Sequence, residues 1–220
     1  MNLTKLNDNI YLFTSETFKE LTLSFFRVQE YYESQNPKLY GKKFDTFKFL
    51  KETMNDDGEI DYFSFWAGFN IPGNTFNKFR GSYKEKQFTS YERKMFSQLK
   101  DAGIEYTKPF YIIGSIADDK SVIDHEIAHA LFHVDSRFYG DMTDLNIKFK
   151  FYHPEIFEVL QKQFLRMGYS EKVLDDETQA YMSTESDEEL MDNFSIDINK
   201  CESIIMEYRK TLKKYNKFKI

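Results

Sequence analysis

The sequence predicts an α+β fold that is mostly helical, with a small sheet just ahead of one central helix. Three observations carry this. Apolar residues recur at helical spacing through most long segments, and several of those segments open on a capping residue. One run, Pro109–Ile116 (PFYIIGSI), has the composition of a strand: a short apolar stretch, rich in Ile and aromatics, bounded by turn signals. The 220 residues hold only 9 Gly and 4 Pro against 23 Phe and 15 Tyr, so core-forming side chains far outnumber breakers. This length suits a single domain. Residues 1–105 read as its mainly helical N-terminal part and 106–220 as the part built on the central helix.

The elements follow in order. Residues 15–34 form a first helix, with Ser15 as a possible N-cap and Phe18, Leu21, Phe25 and Val28 on one face. Residues 44–54 form a second. Residues 55–63 (NDDGEIDYF) read as a polar turn. Placing Gly58 at the sixth position of a calcium loop would put Thr53 and Ser64 where that loop needs carboxylates, so calcium is excluded. Residues 61–69 (DYFSFWAGF) fit strand or buried helix equally, and 70–74 (NIPGN) read as a turn.

Thr89 with Glu92 three residues on is a capping box that starts a helix over 89–102, with Gly103 at its stop. The strand at 109–116 comes next, and Asp119 or Ser121 caps the helix that follows. Residues 135–146 (DSRFYGDMTDLN) look irregular. Pro154 and Gly168 bracket a clear helix, another begins at Asp175, and a last one runs over about 197–217 on a stripe of Ile198, Cys201, Ile204, Ile205, Tyr208 and Leu212.

Charge and cysteine usage narrow the class. A net charge of −6 argues against nucleic-acid partners, since no basic excess is present to neutralise phosphates. The basic run Arg209–Lys219 alternates with apolar residues and reads as a solvated helix face. One cysteine, Cys201, permits no internal disulfide and fits a reducing compartment. No apolar run reaches membrane-spanning length and the N-terminus lacks a signal-peptide core, so no membrane partner and a cytoplasmic location are expected.

The central helix carries the chemistry. SVIDHEIAHALFHVD, residues 121–135, contains H-E-x-x-H as His125, Glu126 and His129. Residues four apart on a helix share a face, so both imidazoles can grip one zinc ion while Glu126 reaches a metal-bound water as general base. The segment around them is apolar (Val122, Ile123, Ile127, Ala128, Ala130, Leu131, Phe132), which leaves a buried polar trio to be explained.

Three residues compete as third ligand. His133 lies about 12 Å along the axis from His125 on an unbroken helix, which favours a supporting role. His153 precedes a helix-starting Pro and reads equally as an N-cap or an oxyanion-stabilising donor. Glu177 is favoured: it opens a later helix, followed by the small Ala180, and would complete a His2Glu zinc set. The plain alternative for Glu177 is an acidic first turn favoured by the helix dipole. Tyr139, Tyr181 and His153 are the available donors for an oxyanion, and Tyr181 lies one turn beyond Glu177 on the same face.

DHEIAHALFH followed by DETQAY resembles the ImmA/IrrE-like metallopeptidases, compact zincins whose pattern runs HE-(x)2-H-(x)3-H and then E-x-x-A-N-x-F-A. His125, Glu126, His129, His133, Glu177 and Ala180 match that pattern, and Tyr181 stands where the family has Asn. The resemblance covers residues 121–184. It implies a zincin-like fold and bound Zn2+, with Glu126 catalytic and His125, His129 and Glu177 on the metal; the residues themselves add Tyr181 as a catalytic donor and a peptide or protein as the expected substrate. The competing expectation is an interaction protein that keeps the scaffold without catalysis. A third is a zinc hydrolase of a non-peptide bond.

Overall fold

The computed structural model describes every residue except 35, 56, 59, 61, 63–66, 219 and 220. Most of the 61–69 segment and the last lysine of the basic run therefore lie outside the described residues. The fold is α+β and mostly helical, with a small mixed sheet. The chain divides into two compact units, Met1–Ile123 and Asp124–Ile220. The boundary lies beyond 105 because the strand at 111–116 pairs into the N-terminal sheet.

The first unit is built on four strands, β1 (Asn2–Lys5), β2 (Ile10–Ser15), β3 (Gly68–Pro72) and β4 (Tyr111–Ile116), in the order β1-β2-β4-β3. β2 and β4 are parallel, while β1 pairs with β2 and β3 with β4 antiparallel. Helix α1 (Phe18–Glu33) lies against this sheet. Its Leu21, Phe25 and Val28 enter the core as the spacing predicts, whereas Phe18 is exposed. The cap is Thr17, which accepts from the Glu20 amide, rather than Ser15.

Gly114 on β4 sets the approach of α1. A Cβ there would meet the Phe25 ring at 2.9 Å and Leu21 Cδ1 at 3.2 Å. Helices α2 (Thr46–Glu52), α3 (Gly73–Ser82) and α4 (Ser90–Asp101) complete the unit. α4 carries the expected capping box, with Thr89 and Glu92 exchanging bonds of 2.7 and 3.1 Å.

Several expectations change here. β1, β2 and α3 replace segments with no assigned structure, and the turn read at 70–74 is the end of β3 running directly into α3. Gly58, with φ +82°, does turn the chain between the bridged residues Met54 and Ile60. β4 is paired on both sides, and the outer strands among the described residues are β1 and β3.

Helix α5 (Lys120–Val134) holds H-E-x-x-H and carries the chain across the boundary between units. Asp119 is its cap, accepting from the Val122 amide at 3.2 Å. The second unit continues with α6 (Ser136–Tyr152), α7 (Pro154–Met167), α8 (Leu174–Thr184), α9 (Asp187–Phe194) and α10 (Ile198–Tyr215), the last kinked at Cys201. The segment read as irregular is thus the first half of α6. Asp135 caps it through the Arg137 and Phe138 amides, and Phe138, Met142, Leu145 and Phe149 bury its inner face. Gly168 ends α7 in the left-handed conformation.

Two side chains, one from α6 and one from α7, tie down the start of α8. Asn146 on α6 donates to the Asp175 carbonyl at 2.9 Å while accepting from Tyr208 on α10 at 2.6 Å. Gln161 on α7 donates to Thr178 at 2.7 Å. No described helix is long and apolar enough to cross a membrane.

Candidate metal centre

α5 and α8 bring His125, His129 and Glu177 together, with one potential ligand atom from each lying within 4.8 Å of the others. Glu126, His129 and Glu177 are buried at 6, 3 and 6% exposure, and the His125 side chain is 15% exposed. The two Nε2 atoms are 3.1 Å apart, and His129 Nε2 is 3.8 Å from a Glu177 oxygen. A tetrahedral ion with bonds of about 2.1 Å separates its donors by about 3.4 Å, so these spacings fit one small divalent ion.

The outer ring nitrogens show why the inner ones converge. His129 Nδ1 lies 2.9 Å from Asp176 Oδ1, a carboxylate that can only accept, so Nδ1 carries the hydrogen. His125 Nδ1 lies 3.2 Å from Thr184 Oγ1. That hydroxyl already donates to the Ala180 carbonyl at 2.8 Å, so it accepts from His125. When neutral, each ring then presents an Nε2 lone pair to the same point. Two lone pairs 3.1 Å apart repel unless a cation or a proton lies between them, and the donor set of two imidazoles and a carboxylate suits zinc.

The electrostatics agree. Burial and the neighbouring His129 hold His125 well below the usual histidine range. Burial works against a charged His129 too, but Asp176 and Glu177 outweigh it and raise that ring well above the range. The cluster thus favours positive charge at its centre. Glu185, 3.7 Å from His125 Nδ1, is pushed up to about 7 by burial and by Glu189. Arg209 on α10 donates to the Glu185 carbonyl at 2.7 Å and fixes that end of α8.

Tyr181 packs edge-on against the His125 ring, centroids 4.7 Å apart. Its hydroxyl shares a 3.1 Å hydrogen bond with Tyr169, and Phe164 and Phe194 enclose the ring. Burial pushes the Tyr181 hydroxyl up to about 12, and burial raises Tyr169 further. Glu177 and Glu126 add to both shifts.

The other candidates stand apart from the metal group. His133 is exposed on α5. His153 joins α6 to α7 at the N-cap position, makes no side-chain cap bond, and packs against Phe149. Tyr139 is half exposed against Phe132. Sequence reasoning missed Asp176, Thr184, Glu185 and Tyr169 as members of the site. Only Asp176 gave a signal, as a carboxylate beside the favoured ligand. Comparison with protein-family models, curated proteins and solved structures finds no match.

Proposed function

We propose that the chain is a zinc-dependent hydrolase of zincin-like architecture whose substrate is a peptide or protein. The convergence of His125, His129 and Glu177 beside a buried Glu126 carries this reading. Those three residues would hold the ion. When bound, it supplies a Lewis acid that polarises a carbonyl and acidifies water. Glu126, next to the first ligand on α5, takes the proton of the attacking water and returns it to the leaving amine. Tyr181, with a hydroxyl that stays protonated at neutral pH, offers a donor to the oxygen that gains charge, and Tyr169 orients it. A scaffold without catalysis would have no use for Glu126.

The test measures metal content of purified protein and cleavage of a broad peptide library by mass spectrometry. Wild type should carry one zinc per chain and cleave. Glu126→Gln should keep the zinc and lose about 100- to 10,000-fold in rate, the usual range for a general base. Zinc in both proteins with cleavage by neither would sink the peptidase reading.

A further inference from the structure

We infer that Asp176 and Thr184 are positioning residues that hold His129 and His125 in the Nδ1–H tautomer, so that both Nε2 atoms are committed to a single ion. The inference rests on the metal-site reading above and deepens it. Both residues come from α8, the helix that also supplies Glu177, so one helix provides a ligand and both histidine supports. At His129 the support is anionic: Asp176 Oδ1 at 2.9 Å. The same oxygen accepts from Gln179 Nε2 at 2.9 Å, which orients the carboxylate from one turn along the helix. Gln179 is fully buried, and its Oε1 has no hydrogen-bond partner among the described residues. Its amide is therefore held in place by the bond to Asp176 and by packing.

At His125 the support is neutral. Thr184 Oγ1 accepts at 3.2 Å only because its own hydrogen is turned to the Ala180 carbonyl. The two supports differ in charge and so in consequence. A carboxylate behind an imidazole raises the basicity of the far nitrogen, whereas a hydroxyl mainly fixes the ring. Asp176 accordingly sets how tightly the ion is held, and Thr184 sets the orientation of the ring beside Glu126.

The experiment compares wild type with Asp176→Asn, Thr184→Val and Thr184→Ser. It reads zinc affinity by competition with a chromophoric chelator and the imidazole 15N shifts of the metal-free protein, titrated to alkaline pH until each ring is neutral. Asp176→Asn can present an N–H to Nδ1 and should lower zinc affinity about 10- to 100-fold, with the His129 shifts moving toward the other tautomer. Thr184→Val should shift His125 alone and weaken zinc by less, and Thr184→Ser should restore both readouts. Thermal unfolding of the metal-free variants separates loss of fold from loss of tautomer. Wild type that binds zinc, with variants unchanged in affinity and in 15N shifts, overturns this inference and leaves the metal site standing. Wild type that takes up no zinc overturns the hydrolase reading. In that event, wild-type rings found in the Nε2–H form also overturn the tautomer assignment.

Discussion

Each of the two units buries charge, and they do so in opposite ways. In the first unit Arg27 and Glu92, 3 and 1% exposed, form a pair that is complete in itself. Arg27 Nε and a terminal nitrogen reach the two Glu92 oxygens at 2.8 and 2.5 Å, and the guanidinium also donates to the Gln87 carbonyl at 3.1 Å. The Tyr83 ring lies over the guanidinium at 4.5 Å. Glu92 serves the pair and the α4 capping box at once. In the second unit two imidazoles turn their lone pairs toward each other beside a carboxylate, an arrangement that calls for a cation at its centre. A buried cluster that satisfies itself is a structural device. One whose donor atoms converge, as those of His125, His129 and Glu177 do, could hold a metal ion.

The contrast can be broken most sharply at Arg27. Arg27→Ala should cost about 3–5 kcal/mol in urea unfolding, because it strands Glu92 in the core. Replacing both partners together, Arg27→Met with Glu92→Leu, should cost much less, since neither charge is then left alone. A single substitution costing under about 1 kcal/mol would show that the pair is well solvated.

The second unit should respond to metal instead. Zinc at a hundred times its dissociation constant should stabilise the chain by about 2.7 kcal/mol, and a chelator should reverse the gain. Glu177→Ala should abolish most of that shift while leaving the unfolding of the metal-free protein little changed. A full zinc response in Glu177→Ala would move the third ligand elsewhere. The smallest effect belongs to the cap. Thr89→Ala should cost about 1 kcal/mol and Thr89→Ser almost nothing, and equal losses from the two would separate the cap bond from the Arg27–Glu92 pair.

Sequence spacing was enough where the physics is local. The Thr89–Glu92 capping box, the Pro154 and Gly168 brackets of α7, and the facing of His125 and His129 each depend on a few consecutive residues. Glu177 was legible as a carboxylate opening a helix after an acidic pair. α6 was not. Gly140, Asp141, Thr143, Asp144 and Asn146 are weak helix formers, and the helix is sustained by the burial of Phe138, Met142, Leu145 and Phe149. β1 is four residues long and gains its structure from pairing with β2, a non-local contact that no short window contains. Thr184 and Tyr169 enter the site through the contact of α8 with α5 and the turn after Gly168. Those are tertiary facts with no local pattern.

Asp176 and Glu177 are consecutive, yet they address opposite edges of one ring, Nδ1 and Nε2 of His129. The first turn of α8 therefore works as a single catch. An opening that frees one carboxylate frees the other, so loss of the ligand and loss of the histidine's support occur in one event. Asn146 and Gln161 tie that turn to α6 and α7. Were an ion held as proposed, its residence time would be coupled to the fraying of a helix end rather than to the strength of any one bond to the ion.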